Sequence, residues 1–311
     1  MKYNSIIIVG GGSAGWMTAA TLAKITKNKS ITLIESPNIA TVGVGESTIG
    51  DINQWLSLLQ IEDKDFMKYC DASYKLSIRF ENFYKKGDGG FHYPFGQPYL
   101  KDNKYGLNDW YYKKIINPDL PTSDYAECYY PQMALVKQNK FFKNEDKKIP
   151  FSVNKDTAYH FDATKLGLWL RDHYCLPRGV KHIKEDIDTI EHDEKGIISL
   201  NKKHKADLFI DCTGFKSLLL GETLKEPFES YSHMLPNNKA WATRIPYTDK
   251  EKEIRTYTNC TALDNGWVWN IPLWSRIGTG YVYSNKHITD KEALDEFKNY
   301  LGRDDLEFKN I

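Results

Sequence analysis

Four consecutive β-branched residues, Ile6-Ile7-Ile8-Val9, run without a break into Gly10-Gly11-Gly12-Ser13-Ala14-Gly15. No other stretch of the chain restricts the fold so tightly. A short, wholly apolar run reads as a parallel strand buried on both faces. The glycines satisfy G-x-G-x-x-G through Gly10, Gly12 and Gly15, with Ser13 and Ala14 completing the turn. Residues 16–25 then read as a helix built on Ala19, Ala20, Leu22 and Ala23, and Ile31-Thr32-Leu33-Ile34 reads as a second strand ending on Glu35. Each part has a physical task. Gly10 makes the tight turn, Gly12 lets the backbone approach a pyrophosphate, and Gly15 lets helix and strand pack closely. The helix start offers free N–H groups and a positive dipole end to the phosphates. Glu35 accepts hydrogen bonds from a ribose diol. Strand, turn, helix, second strand and acid in register predict a dinucleotide site.

Composition excludes several other classes. The 311 residues carry 42 basic and 41 acidic side chains, a net charge of +1, which gives no electrostatic reason to expect nucleic acid or an acidic membrane as partner. No apolar run approaches the roughly 20 residues of a membrane-spanning helix. The apolar run after Met1-Lys2 is also too short for a secretory leader, so the chain reads as cytoplasmic. Five scattered cysteines, none in a C-x-x-C pair, argue against a disulfide framework and against a zinc cage, and no metal site is expected. Aromatic residues reach 14%, including 20 Tyr and 8 Trp, which suits either a core or a site that stacks a flat ligand.

Further along, Ala206-Asp207-Leu208-Phe209-Ile210 is another buried-strand pattern, closing on Asp211-Cys212-Thr213-Gly214. Small residues there let a second stretch of backbone reach a cofactor, through Thr213 and Gly214. An amino-terminal G-x-G-x-x-G with a distant strand ending in T-G resembles the FAD-binding fold of glutathione-reductase-type flavoproteins. The expected class is therefore α/β: a Rossmann-like parallel sheet with a β-meander and an interleaved substrate module. Residues 180–183, 187–190 and 197–200 are strand candidates, with Asp193-Glu194-Lys195-Gly196 as a hairpin turn and Ile187 among the cofactor contacts.

Three stretches resemble one family closely, the flavin-dependent tryptophan halogenases. They are Gly266-Trp267-Val268-Trp269-Asn270-Ile271-Pro272, which fits G-W-x-W-x-I-P; Val42-Gly43-Val44-Gly45-Glu46-Ser47-Thr48-Ile49; and Ala72-Ser73-Tyr74-Lys75-Leu76-Ser77-Ile78-Arg79-Phe80. Tyr159-His160-Phe161-Asp162-Ala163 extends the likeness, which spans nearly the whole chain. The resemblance implies that reduced FAD, dioxygen and chloride or bromide yield hypohalous acid. This oxidant travels to a separate pocket, where Lys75 holds it against an electron-rich arene such as tryptophan or indole. It further implies that the segment around Glu46 contacts the flavin and that Trp267 and Trp269 keep substrate away from it. Without the family, Lys75 is simply the polar face of a strand in which Tyr74, Leu76, Ile78 and Phe80 alternate with Lys75, Ser77 and Arg79. The two tryptophans are likewise core aromatics on one face, and Glu46 an acid before a helix.

Two departures qualify the likeness. The family's substrate segment often reads Y-H-P-F, whereas here Phe91-His92-Tyr93-Pro94-Phe95 puts Tyr93 where histidine is expected. Tyr93 and Phe95 remain the substrate-stacking candidates. The family's chain also continues well past G-W-x-W-x-I-P, and that continuation brings a late FAD segment, the halide site and a glutamate. A chain stopping at Ile311 is therefore expected to be a fragment or incomplete relative, poorly soluble or weak in FAD binding, and without halogenated product. Residues 304–309 should pair within a sheet. The expected modules are FAD-binding over 1–55 and 155–290, and substrate-binding over 56–154 and 291–311. A separate flavin reductase is the implied partner, and a homodimer the candidate assembly. A flavin monooxygenase and a non-catalytic flavin-binding fragment stay open as alternatives.

Overall fold

The computed structural model describes residues 3–39, 43, 46–100, 106–121, 123–142, 147 and 149–311. In chain order the strands that position the site are β1 (Ser5–Val9), β2 (Ser30–Glu35), β3 (Glu46–Ser47), β4 (Ser73–Lys75), β5 (Ser77–Glu81), β6 (Gly90–Pro94) and β7 (Ala158–Phe161). They continue with β8 (Lys181–Lys184), β9 (Ile190–Asp193), β10 (Gly196–Leu200), β11 (Leu208–Asp211), β12 (Lys239–Pro246), β13 (Tyr257–Ala262), β14 (Gly266–Pro272), β15 (Arg276–Tyr283) and β16 (Lys309–Asn310). The chain divides into two compact units. One comprises Met1–Gly43, Ser57–Cys70 and Asp162–Tyr231; the other comprises Val44–Leu56, Asp71–Phe161 and Ser232–Ile311. Among the described residues, no helix is long and apolar enough to cross a membrane.

The first unit is built on a parallel sheet in the order β11-β1-β2-β8. Central β1 has neighbours on both sides, and Ile6, Ile7, Ile8 and Val9 are all buried, as their unbroken apolar run demands. The helix Ser13–Ile25 begins three residues earlier than its apolar pattern suggested, because the turn itself supplies the first helical turn. It buries Gly15, Trp16, Ala19 and Ala20. Gly10 has a φ of +113°, and a side chain there would strike the Cys212 carbonyl. A side chain on Gly15 would strike the Gly10 carbonyl. The hairpin at 193–196 joins β9 to β10. The strand expected over 187–190 starts only at Ile190, because the Asp188 and Thr189 amides donate to the Asn201 side chain at 2.9 and 3.1 Å instead of to a ladder. Ile187 packs into the apolar cluster of Ile7, Val9 and Ile34.

The second unit holds a seven-stranded sheet, β16-β12-β15-β14-β13-β5-β6, and a three-stranded one, β3-β7-β4. All pairs in the larger sheet are antiparallel except β13 with β5. That parallel pair ties residues 257–262 to residues 77–81, and 232–290 belong with this unit rather than with the parallel sheet of the first. One face, through Val268, Tyr281 and Tyr283, packs against Ala293 and Phe297 of the helix Asp290–Leu301. This helix is closed at its start by a Thr289–Glu292 capping box and at its end by Gly302 at φ 63°.

Two sequence expectations need correction here. The segment carrying Lys75 is not one strand with a wet face. It breaks at Leu76, whose N–H goes to the Thr256 carbonyl at 2.7 Å, and Lys75, Leu76 and Ser77 are all buried. The tail pairs with β12 from Lys309 onward and not over 304–308: Lys309 and Asn310 form the ladder, and Ile311 exchanges backbone hydrogen bonds with Ala240 at 2.8 and 3.0 Å. Before that the chain bends at 304–306, alongside an Arg303–Asp305 ion pair of 2.6 Å, and Phe308 turns inward onto Phe297, ring centroids 5.6 Å apart. Because Phe297 is fully enclosed, Phe297→Ala should cost roughly 3–5 kcal/mol in a denaturant titration. Tyr84→Ala, at a residue 80% exposed, should stay within about 0.5 kcal/mol of the parent.

Candidate active site

In the first unit, the glycine turn opens on a cleft of about 230 Å³ lined by Gly11, Gly12, Ser13, Glu35, Arg171 and Lys184 among others. A Cβ built on Gly12 meets nothing within 4 Å, so the space before the helix start is open, and no side chain caps that start. Glu35 lies across Gly11, where any side chain would collide with its carboxylate. His182 Nε2 meets Glu35 Oε1 at 2.8 Å, and the His182 ring is braced edge-on against Trp16 at 5.1 Å. The turn after β11 closes on the same glycines, since Cys212 is what Gly10 abuts. Asp211 shapes it by accepting from the Thr213 hydroxyl at 2.6 Å and the Leu219 amide at 2.7 Å. Burial acts to raise the Asp211 carboxyl, but these hydrogen bonds outweigh it and hold it below the usual carboxylate range. Open space at Gly12, uncapped amides, a braced acid and two cations fit the phosphates and ribose of a dinucleotide. Of the sequence candidates, Gly12, Ser13 and Glu35 line this cleft, Gly10 and Gly15 shape its turn, and Thr213 abuts Gly10; Ala14 and Gly214 are not among the lining residues, and Ile187 sits in the core cluster. A larger open groove of about 750 Å³ between Lys64, Lys68, Trp169 and Arg178 has no such turn.

In the second unit, Lys75 is 2% exposed. Its Nζ donates to the Thr48 carbonyl at 2.7 Å and lies 5.0 Å from the centre of the Phe95 ring, which is itself buried. No carboxylate pairs with it among the described residues. Burial lowers its pKa to about 7, with the Cys260 thiol opposing. Burial in turn raises that thiol to about 11. An amine so placed exchanges between ammonium and free base near neutral pH, whereas an ordinary lysine is a free base about once in several thousand at pH 7.

Trp267 and Trp269 share one face of β14, opposite Val268, with ring centroids 6.2 Å apart at 60°. Gly280 stands across from Trp269, and any side chain there would run into the indole. The Trp269 Nε1–H is buried and has no acceptor among the described residues. Tyr93 is 61% exposed on β6, while His92 points to the other face and bonds Ser77 Oγ at 2.9 Å. Burial, then the Arg79 charge, lower His92 to about 4. The structure therefore brings Phe95 to Lys75 and leaves Tyr93 outward. Glu46 is half-buried on β3, paired with Phe161; Val42, Val44 and Gly45 of the same segment lie outside the described residues.

Sequence reasoning missed a buried polar cluster beside Lys75, formed by Ser47, Ser73, His160 and Thr258. Ser47, Ser73 and His160 lie within stretches that carry the family likeness, but nothing in the sequence links them to one another or to Thr258. The partners of His160 are 87 and 98 residues away and leave no local trace. Among the described residues no group of three His, Cys, Asp or Glu could hold a metal ion.

A family model described as tryptophan halogenase matches residues 5–310. The tryptophan 6-halogenase SttH of Streptomyces toxytricini is 35% identical over 337 residues, covering 99% of this chain and 63% of that protein. The tryptophan 7-halogenase RebH of Lentzea aerocolonigenes is 34% identical over 315 residues, covering 95% and 58%. The solved apo structure of VirX1 matches with a TM-score of 0.93 at 45% identity, covering 100% of this chain and 61% of that one. The chain thus spans about three-fifths of the length of these relatives.

The burial of Lys75 has a thermodynamic signature. Its folded pKa of about 7 lies below the ordinary 10.5, so between these values the unfolded chain binds more protons and stability rises with pH. Lys75→Met should therefore raise the unfolding free energy by on the order of a few kcal/mol at pH 6. That gain should narrow as the pH rises toward 10.5, as urea titrations at a series of pH values would record.

Proposed function

This chain belongs to the tryptophan halogenase family, and from that premise we propose that it halogenates an electron-rich aromatic ring, with Lys75 carrying the oxidised halogen. The observation behind this reading is the enclosed Lys75 amine, without a carboxylate partner among the described residues and with an aromatic wall 5.0 Å away. Reduced FAD, when bound, supplies the reducing equivalents with which dioxygen oxidises chloride or bromide to hypohalous acid. The chain's own residues do the rest. The open turn at Gly12 and the uncapped helix start hold the pyrophosphate, and Glu35, oriented by His182, accepts from the ribose hydroxyls.

At neutral pH both forms of Lys75 are populated, and each has a use. The ammonium can hydrogen-bond the oxygen of hypohalous acid. The free amine can attack its halogen, forming an N–halogen bond as water leaves, and then deliver that halogen to a ring carbon, which loses its proton. Lowering the pKa from 10.5 to about 7 raises the free-amine population at pH 7 by on the order of a thousandfold. Phe95 offers the face on which a flat substrate stacks. The names of the similar proteins, tryptophan 6- and 7-halogenases, support an indole as that substrate. A separate reductase supplies the reduced flavin.

Two experiments test this reading. With FAD, a flavin reductase, bromide and indole or tryptophan, the complete protein should form brominated product, and Lys75→Ala in it should abolish that product while reduced flavin still reoxidises. Undiminished bromination by the variant, or none by the parent with FAD bound, would contradict the proposal; hydroxylated product would point to a monooxygenase. In fluorescence titrations Gly12→Val should weaken FAD binding sharply. Glu35→Ala should weaken it about tenfold or somewhat more, the loss of one charge-assisted hydrogen bond. Unchanged affinity in both variants would refute the cofactor assignment.

A further inference from the structure

Beside Lys75 the second unit encloses a line of five polar groups from five separate strands. Ser73 Oγ donates to the Pro272 carbonyl at 2.6 Å and meets His160 Nδ1 at 3.1 Å. His160 Nε2 meets Thr258 Oγ1 at 2.9 Å, and Thr258 Oγ1 meets Ser47 Oγ at 2.7 Å. Ser73, His160 and Thr258 are all buried, His160 completely. Sheet register places the line: His160 on β7 stands opposite both Ser47 on β3 and Ser73 on β4. Lys75 is two residues from Ser73, so its side chain and that of His160 share a face.

The proton on each bond follows from counting donors. A carbonyl only accepts, so the single hydroxyl proton of Ser73 goes to Pro272. Ser73 Oγ can then only accept from the ring, which puts a proton on His160 Nδ1. The ring is neutral, because burial first and the Lys75 charge second hold its pKa well below the usual value, against a weaker pull from the Pro272 carbonyl. Nε2 is therefore bare and accepts from Thr258, whose own oxygen then accepts from Ser47. Every link has one direction: Ser47 to Thr258 to His160 to Ser73 to Pro272.

The line ends one residue from the atom that holds the amine. Ser47 precedes Thr48, whose carbonyl receives the Lys75 Nζ, and Thr48 is itself clamped to Tyr159 by its amide and its hydroxyl, each at 2.9 Å from the Tyr159 carbonyl. We propose that His160, fixed as the Nδ1–H tautomer, is a positioning residue for Lys75: through Thr258 and Ser47 it holds the Thr48 carbonyl that receives the amine and keeps water from it. This rests on Lys75 being the halogen carrier only for its catalytic consequence; the geometry it asserts stands apart from that chemistry.

The test is spectroscopic and needs no turnover. In ¹⁵N-histidine spectra of the whole chain, His160 should show a protonated Nδ1 and a bare Nε2 at pH 7; the opposite tautomer would overturn the proposal. The Lys75 amine can be titrated by ¹³C-methyl labelling, with its other ionisable neighbours being the Cys260 thiol on β13 and the His160 ring on β7. His160→Gln keeps an acceptor near the Nε2 position and should leave that titration within about half a unit of the parent. His160→Asn reaches only the Ser73 side. It should let water in and move the Lys75 midpoint up by about one unit or more, a roughly fivefold or greater loss of free amine at pH 7. Thr258→Val, an isosteric cut at the next link, should do the same, and Thr258→Ser should restore the parent value. A folded Thr258→Val protein with an unmoved Lys75 midpoint would overturn the proposal even if His160→Asn failed to fold. Loss of bromination without these spectroscopic changes would bear on the Lys75 chemistry and not on His160.

Discussion

An ammonium group taken out of water without a counter-ion is among the costliest placements a protein can make, several kcal/mol even after relaxation. Lys75 stands in that position, 2% exposed and held by one backbone carbonyl. The local architecture of the second unit can be understood from how it tolerates this. The charge is lost easily, since the pKa falls to about 7, and the surrounding polar groups are neutral ones that satisfy one another. A carboxylate beside it would have restored the pKa of an ordinary, fully charged lysine.

The strand arrangement supplies the enclosure. The break at Leu76 lets β4 leave the large sheet and join β3 and β7, while β5 continues into the pair with β13. Lys75 thus sits where the chain changes sheets. The aromatic face of β14 and the face packed by the helix Asp290–Leu301 alternate along one strand, so Trp267 and Trp269 are left to line the side away from Val268. The glycine turn follows a separate logic in the other unit, where the absence of side chains at Gly10 and Gly15 allows the close packing and that at Gly12 leaves open space.

Much of the first unit was legible in the sequence because its determinants are local. An apolar run, a glycine spacing and an acid at the end of the next strand lie within some thirty residues, and the structure assembles them as that order implies. Lys75 was legible only through family likeness. Its alternation with Tyr74, Leu76 and Ile78 suggested a strand with a wet face, whereas tertiary packing covers both sides of the segment. The polar line through Ser47, Ser73, His160 and Thr258 was illegible for a simple reason: its members lie on four strands far apart in sequence, and each alone is an ordinary strand residue. Tyr93 shows the converse, a motif position whose side chain faces outward while its neighbour Phe95 reaches the amine.

The central claim is that one lysine of this chain is half-deprotonated near neutral pH because of where it is buried. Competitive labelling with trace acetic anhydride between pH 5 and 11, read out lysine by lysine through peptide mass spectrometry, measures this directly. A midpoint near 7 is expected for Lys75, well below the ordinary lysine value of about 10.4. A Lys75 midpoint at the ordinary lysine value would contradict this placement.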